Sequence, residues 1–190
     1  MMISSERLVM RDYADEDFPL FKSVYTDAEI MKYAYVDVYQ SEEAIRSYFK
    51  KVIQDSKRID NRDAYEFAVI EKQSGKYIGS ADVDVQMKNR YGGFGEIGYF
   101  LLKAFWGKGY ATEIAAGLIG YCFEELMFHK VCASCHSLNK QSEKVMIKIG
   151  MTKEGILKKQ RFKNSQWHDE IRYSILMEDW QKLGMKQTRF

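Results

Sequence analysis

Two hydrophobic periods divide this 190-residue chain. Before about residue 55, apolar residues recur every three or four positions, which predicts helices. The clearest helix begins after Ser41, whose hydroxyl suits an N-cap, and carries one apolar stripe. From Tyr65 onward, the segments YEFAVIEK, YIGSADVDVQM and FGEIGYFLL predict three strands, joined by the turns QSGK and KNRYGGFG.

The remaining segments complete the predicted fold. In chain order they are a first strand at Arg7–Tyr13, a helix capped by Asp15, a short helix at Asp27–Lys32, a helix from about Gly107 to Met127, the strand KVCASCHS, a helix at Asn139–Ile149 ended by Gly150, and the closing strands MTKEGILKKQRF and QWHDEIRYSILME. We therefore expect one α/β (α+β) domain over residues 1–190, with a mostly antiparallel sheet. The unit from about Gly95 to Ser137 is expected to be a right-handed parallel crossover.

Composition narrows the class of protein. Hydrophobic residues make up 46% and charged residues 29%, the balance of an ordinary globular domain. A net charge of +2 gives no reason to expect nucleic acid as a direct partner. We expect no membrane partner, because no apolar run approaches the ~20 residues of a membrane span. The charged N-terminus has no apolar leader, so a cytosolic (cytoplasmic) protein is expected, and three cysteines argue against a disulfide framework.

One short segment offers a competing chemistry. CASCH, at Cys132–His136, matches the C-x-x-C-H pattern of covalent haem attachment. We favour two core cysteines, because the segment is predicted as a buried strand and residues three apart on a strand point to opposite faces. The three histidines lack the spacing of a metal site, and no metal is expected.

The segment AFWGKGYATE places two glycines where a predicted strand passes into a helix. The first N–H groups of a helix have no partner within it, and the helix dipole adds partial positive charge there. Gly107 and Gly109 would let a bulky anion approach, and Lys108 and Thr112 could add donors. A phosphate or pyrophosphate is therefore the expected ligand. The alternative is a bare helix start, whereas the P-loop and dinucleotide-binding patterns do not match.

Several segments together resemble a known family. GEIGYFL, WGKGYATE and NKQSEKVMIKIGM resemble the GNAT superfamily of acyl-CoA-dependent N-acetyltransferases. SSERLVMRDY and DEIRYSILMEDW resemble its RimJ/RimL-type branch, the ribosomal-protein N-terminal acetyltransferases and their relatives. The resemblance covers nearly the whole chain and implies a GNAT-like fold, with six to seven strands and helices on both faces of the sheet. The family's phosphate loop, Q/R-x-x-G-x-G/A, falls on Trp106, Gly109 and Ala111, and Trp106 departs from the Gln/Arg position.

The resemblance also implies a reaction, in which an amine attacks the co-substrate acetyl-CoA directly while both are bound. Glu96 is expected as the base, since apolar neighbours would favour its neutral form; the alternative is a solvent-facing or structural glutamate. Ser142 is expected to hold or protonate the leaving thiolate, although helix capping explains Asn139 and Ser142 equally well. The residues expected to bind the coenzyme are Phe100, Leu101, Leu102, Trp106, Gly107, Lys108, Gly109, Tyr110, Ala111, Thr112, Asn139, Ser142 and Lys144. A backbone N–H near Phe100 or Leu101 is implied as the donor to the thioester oxygen.

The acceptor stays open from sequence. A protein N-terminal α-amine, with an ordinary pKa of about 8, needs little help to lose its proton; a polyamine, aminoglycoside or amino-acid derivative, with a pKa of about 10.4, needs a base. A non-catalytic acyl-CoA-binding sensor is an alternative from another class, and a homodimer is left open. The resemblance also implies that Tyr33, Tyr35 and Tyr39 lie at the acceptor cleft; packing in the core is the alternative. The basic run Lys158–Lys163 is expected on a solvated face, with an acidic partner or coenzyme phosphates as the alternatives.

Overall fold

Eight strands form one sheet in the computed structural model, which describes residues 1–58 and 62–184. The strands are β1 (Met2–Ser4), β2 (Leu8–Asp12), β3 (Ala64–Glu71), β4 (Tyr77–Asn89), β5 (Gly92–Leu101), β6 (Phe128–His136), β7 (Thr152–Lys163) and β8 (Gln166–Leu176). The helices are α1 (Phe18–Tyr25), α2 (Glu42–Ser56), α3 (Tyr110–Glu124), α4 (Lys140–Lys148) and α5 (Met177–Lys182), with 3-10 turns at Asp15–Asp17, Ile30–Tyr33 and Lys103–Phe105.

The strand order is β1-β2-β3-β4-β5-β6-β8-β7, and every neighbouring pair except β5–β6 is antiparallel. The mostly antiparallel sheet and its one parallel crossover are therefore confirmed. The described strands number one more than expected, because β1 has only three residues and shows no period. Helix α5 was also missed, since its six residues follow β8 without a turn signal.

The helix boundaries differ from the predictions where the backbone turns sharply. Ser41 caps α2 as expected, its hydroxyl oxygen accepting the Ala44 N–H at 3.1 Å. The expected cap Asp15 is wrong: it lies in the 3-10 turn, and Asp17 precedes α1 instead. Helix α3 spans Tyr110–Glu124, which is shorter at both ends than the predicted 107–127.

Each face of the sheet carries its own hydrophobic core. Helix α3 covers one face with fully buried side chains such as Leu118 and Phe123. Helices α1 and α2 cover the other face, where Phe21, Phe49 and Tyr25 pack together. Burying one such side chain contributes roughly 1.5–3 kcal/mol, so the helices on both faces pack stably against the sheet. Within residues 1–58 and 62–184, none of the helices has the length and hydropathy to cross a membrane.

Candidate functional site

Strands β5 and β6 separate partway along their length. They pair only from Gly93 and Phe128 to Glu96 and Cys132. Beyond Glu96, β5 continues beside β4 alone as far as Leu101. A wedge-shaped gap therefore opens in the sheet and leads to the glycine-containing turn before α3.

Backbone alternation decides which groups of β5 face this gap. The Leu102 N–H donates to the Ile78 carbonyl at 2.8 Å, next to the pair formed by Gly79 and Leu101. Hydrogen-bonded and non-bonded pairs alternate in an antiparallel ladder, so Phe100 bonds toward β4 while Tyr99 and Leu101 turn their backbone groups toward the gap. Of the two expected oxyanion donors, Leu101 is thus directed to the gap and Phe100 is not. The backbone N–H of Leu102 is used within the protein.

The turn before α3 has the conformation that only glycine adopts readily. Gly107 has φ +74° and Gly109, the N-cap of α3, has φ +82°, both in the left-handed region. In the described part of the chain, no side chain caps this N-terminus. Gly107, Lys108 and Gly109 are exposed, so the free N–H groups at the start of α3 are open to an anion, and we call this turn the candidate anion site.

The side chains around the turn hold its conformation and do not cover its backbone N–H groups. The Trp106 indole Nε1 donates to the Leu101 carbonyl at 2.7 Å, which fixes the turn to the end of β5. The Tyr110 hydroxyl donates to Glu71, so its side chain points away from the anion site. Lys108 lies exposed over the Phe105 ring, 5.1 Å from its centroid. Ala111 and Thr112 follow in the first turn of α3, where their contribution is the backbone N–H.

Arg7 braces the turn from β2's side, a role that the sequence did not reveal. Its guanidinium donates to the Lys108 carbonyl at 3.0 Å and to Glu113 at 2.7 Å, and it lies 4.5 Å from the centroid of the Tyr110 ring. Burial acts to raise the pKa of Glu113, but hydrogen bonds from the Ser5 hydroxyl and from the backbone N–H and guanidinium of Arg7 together hold that pKa below its ordinary value. Glu113, the acidic residue in the first turn of α3, is therefore neutralised away from the anion site.

Glu96 lies on the opposite face of β5 from Ile97 and Leu101, toward α1 and α2. Its carboxylate accepts a hydrogen bond from Ser134 on β6. The expected apolar neighbours are wrong: Glu96 stands directly opposite Asp84, and Asp82 lies next along β4 on the same face. Sequence reasoning missed these carboxylates, although the alternation in DVDV was a usable signal for two acids on one face.

A fourth carboxylate, Glu66 on β3, stands opposite Asp82. It accepts hydrogen bonds from the Tyr48 and Tyr25 hydroxyls, the second at 3.2 Å. Loss of hydration raises the pKa of Glu66 to about 7 despite these donors. Loss of hydration and neighbouring carboxylates also raise the pKa values of Asp82 and Asp84. Like charges directly opposite one another repel, so this acidic cluster is poised to take up positive charge.

Ser142 lies on the other face, near the coenzyme side of the gap. Its hydroxyl is 3.4 Å from the Tyr99 hydroxyl, a contact that identifies Tyr99 as a further polar group at the site. Asn139 caps α4, its side-chain oxygen accepting the Ser142 N–H at 3.1 Å. The capping alternative thus holds for Asn139, while the Ser142 hydroxyl remains available to a ligand. Lys144 is exposed on α4.

The site therefore has two sides that meet at the gap: an anion turn with Ser142 and Tyr99, and an acidic cluster with Glu96. The cysteines do not take part as a pair, since Cys135 is buried, Cys132 is half-buried and both are free thiols. Among the described residues, no group of His, Cys, Asp or Glu has an arrangement suited to a metal ion.

Comparisons with known proteins agree with this geometry. A family model described as "Acetyltransferase (GNAT) domain" matches residues 7–152. The Bacillus subtilis protein YnaD, described as an uncharacterized N-acetyltransferase, is 33% identical over 184 residues, which cover 95% of this chain and 99% of that protein.

Solved structures share the fold at lower identity. A Vibrio cholerae spermidine N-acetyltransferase, solved with CoA and spermine, has a TM-score of 0.81 at 21% identity and covers 93% of this chain and 99% of its own. A Vibrio fischeri ribosomal-protein-S5-alanine acetyltransferase has a TM-score of 0.79 at 22% identity, covering 95% and 98%. At these identities the likeness is one of fold.

Proposed function

This chain belongs to the GNAT acetyltransferase family, and from that premise we propose that it moves an acetyl group from acetyl-CoA to a primary amine by direct attack with both substrates bound. The observation that carries the proposal is the gap between β5 and β6, which joins an open anion turn to a carboxylate beside the separating strands. An acyl-CoA has the matching parts: a pyrophosphate, an extended arm and a thioester.

The coenzyme would lie with its pyrophosphate on the turn. The backbone N–H groups from Gly107 to Thr112 supply donors, and Lys108 supplies charge. The extended arm would run along the backbone groups of β5 that face the gap. Leu101, whose N–H faces that gap, would then donate to the thioester oxygen as negative charge develops there.

The amine would approach from the other face of β5. Glu96 would accept a proton from the attacking amine, directly or through one water, before or during bond formation. As the tetrahedral intermediate collapses, the sulfur leaves toward Ser142 and Tyr99, either of which can donate a proton to it. The proposed base, Glu96, and the proposed acids, Ser142 and Tyr99, thus lie on opposite faces of β5, so the two proton transfers take place on different sides of the strand.

A small amine with a second positive charge is the acceptor that the acidic cluster favours. Glu66, Asp82 and Asp84 lie beside Glu96 on the amine's side. Glu66 and Asp84 also line a cavity of about 110 Å³ together with Lys51 and Arg62, of which Arg62 is paired with Asp12. A spermidine acetyltransferase shares the fold, which is compatible with this acceptor. The second candidate is a protein N-terminal α-amine, in keeping with the resemblance to the RimJ/RimL-type branch and with the fold of the S5-alanine enzyme.

A matched pair of amines tests the proposal. Purified protein is given acetyl-CoA with 1,4-diaminobutane, with butylamine or with an alanine-terminated peptide, and thiol release is followed. We expect turnover, with kcat/KM at least about tenfold higher for the diamine than for butylamine, because one additional charge–carboxylate contact contributes about 1.4 kcal/mol or more. Faster turnover of the peptide than of either small amine would favour the protein acceptor instead.

Binding without turnover is the outcome that contradicts catalysis. If calorimetry detects acetyl-CoA binding and yet no amine in a broad panel releases thiol, the protein is an acyl-CoA sensor. The cytosolic location stays a prediction, and the homodimer stays open.

A further inference from the structure

Two cations of the basic run Lys158–Lys163 are buried, contrary to the solvated face expected for it. Strand β7 shifts register against β8 between Leu157 and Arg161, and Lys159 there has φ +49°. Beyond this irregularity Arg161 and Lys163 turn inward and are only 5% and 6% exposed. Both reach the segment of residues 33–37, which starts at the last residue of the 3-10 turn Ile30–Tyr33 and leads toward α2.

Arg161 is the centre of these contacts. Its guanidinium donates to Glu170 at 2.9 Å, to the Tyr33 carbonyl at 3.1 Å and to the Ser134 hydroxyl oxygen at 3.3 Å. It also lies 3.5 Å from the centroid of the Tyr35 ring. Lys163 adds a second attachment by donating to the Val36 carbonyl at 2.5 Å.

The same contacts lead to the proposed base. The Ser134 hydroxyl, held by Arg161, donates its proton to the Glu96 carboxylate. The Tyr35 hydroxyl donates to Glu170 and lies 3.3 Å from the Ser134 oxygen. One buried guanidinium therefore touches both the 33–37 segment and the group that orients Glu96.

We propose that Arg161 is a positioning residue of this enzyme: it holds the 33–37 segment over the acceptor side of the site and aims the Ser134 hydroxyl at Glu96. This inference rests on the proposed function, with Glu96 as base. A guanidinium suits the task because its planar set of N–H donors can serve a carboxylate, a carbonyl and a hydroxyl at once. An ammonium at this position could not reach all three.

The charges around Glu96 give the direction of the pH effect. The Glu96 carboxylate faces Asp82 and Asp84 on β4, the Cys132 thiol on β6, which burial keeps neutral, and the cations Arg161 on β7 and Arg172 on β8. It also accepts the Ser134 hydrogen bond, and both a nearby cation and a hydrogen-bond donor stabilise a carboxylate. Removing Arg161 or Ser134 therefore moves the acid limb of the pH profile of kcat/KM to higher pH.

Two variants distinguish the two tasks proposed for Arg161, which are to hold the 33–37 segment and to aim the Ser134 hydroxyl at Glu96. For Ser134→Ala we expect the acid limb to rise by about 0.5 to 1 pH unit, with the acceptor KM within about twofold of wild type. For Arg161→Met we expect the same rise together with an acceptor KM at least about tenfold higher, because the segment over the acceptor side is released. The KM for acetyl-CoA should stay within about twofold in both, since the phosphate turn is untouched.

Arg46→Met is the matched control. Arg46 also makes an ion pair, with Glu42 at 2.7 Å, and also lies over a ring, 4.0 Å from the centroid of Phe18, but it is exposed and its contacts are with α1 and α2 instead of the segment. It should leave both KM values and the pH profile unchanged. If Arg161→Met does not fold, Arg161→Lys should show a smaller rise in acceptor KM. Foldable Arg161 variants with unchanged acceptor KM and unchanged acid limb would overturn the proposal.

A readout without turnover keeps this inference distinct from the proposed function. Amide hydrogen exchange of residues 33–38 should be faster in Arg161→Met than in wild type, and unchanged in Arg46→Met. If wild type acetylates no amine, the proposed function fails, while faster exchange would still support the hold on the segment. Unchanged exchange in the Arg161 variant would refute that hold directly.

Discussion

At the scale of single residues, a catalytic base needs a raised pKa and a position near the substrates, and two different glutamates have these two properties. Glu66 is the carboxyl whose pKa is raised to about 7, close to where a base works best. It lies on β3, however, with β4 between it and the gap, so it is about 10 Å from β5 at ordinary strand spacing. Glu96 stands at the last paired position before β5 and β6 separate. The distance to the gap distinguishes the two residues, and it favours Glu96 as the proposed base.

Glu96→Gln should lower kcat at pH 7 by about 10² to 10⁴-fold, because the amide keeps the shape but cannot accept the proton. The KM for acetyl-CoA should stay within about twofold, since the coenzyme binds on the other side of β5. Steady-state kinetics with one diamine measure both values, with Glu43→Gln on the exposed surface of α2 as the control. Full activity of Glu96→Gln at pH 7 would exclude Glu96 as the base.

The raised pKa of Glu66 should instead affect the pH dependence of the free energy of unfolding. Its folded pKa, about 7, lies above the ordinary 4.5, so the folded state keeps a proton between these pH values that the unfolded state releases. The free energy of unfolding therefore falls as pH rises from about 4.5 to 7. Glu66→Gln cannot ionise, so from pH 5 to pH 8 it should lose on the order of 1–3 kcal/mol less stability than wild type.

Urea unfolding at the two pH values measures this difference. The control is Glu43→Gln, because Glu43 is exposed and makes no part of the cluster. An equal loss of stability in wild type and Glu66→Gln would show that Glu66 is already charged at pH 5.

At the scale of elements, the turn before α3 was the most predictable part of the site. Its proposed function depends on backbone N–H groups and on two left-handed glycines, and the local sequence WGKGYAT indicates both. The acidic cluster was not predictable in the same way. Glu66, Asp82 and Glu96 come from three strands, and only the pairing register brings them together. Arg161 was missed because its burial depends on a register shift in β7 that follows from tertiary contacts.

Gly109→Trp should abolish measurable acetyl-CoA binding. The new side chain would project from a left-handed position at the N-terminus of α3, 3.5 Å from Arg7 at its first atom, and would cover the N–H groups that a pyrophosphate needs. Calorimetric titration measures the affinity. Gly184→Trp is the control, because Gly184 also has a left-handed φ, +62°, with open space around it. Comparable affinity in wild type and Gly109→Trp would mean that the turn is only a helix start.

At the scale of the whole molecule, the net charge conceals an uneven distribution. The chain carries 29 basic and 27 acidic residues, a net charge of +2. Four carboxylates nevertheless share the side proposed for the amine, while Lys108 and the N-terminus of α3 stand at the turn proposed for the phosphates, where Arg7 offsets the charge of Glu113. Each substrate would therefore meet a local field of opposite sign to its own charge. The net charge alone therefore says little about which substrates the protein binds, because recognition depends on where the charges lie.

This distribution predicts that salt weakens the binding of a multiply charged acceptor more than that of a singly charged one. Raising the ionic strength from 0.01 to about 0.15 M shortens the screening length from about 30 to about 8 Å. The attraction of a bound diamine to the more distant carboxylates, Glu66 and Asp82, therefore weakens, though less than it would at fully exposed groups because both are half-buried. The KM for 1,4-diaminobutane should rise several-fold over this range, against less than about twofold for butylamine. Asp82→Asn should flatten the diamine's salt dependence at unchanged KM for butylamine, because it removes one of the distant charges and leaves Glu96 in place. Equal salt dependence for the two amines would show that the acceptor contacts Glu96 alone and that the other three carboxylates serve the fold.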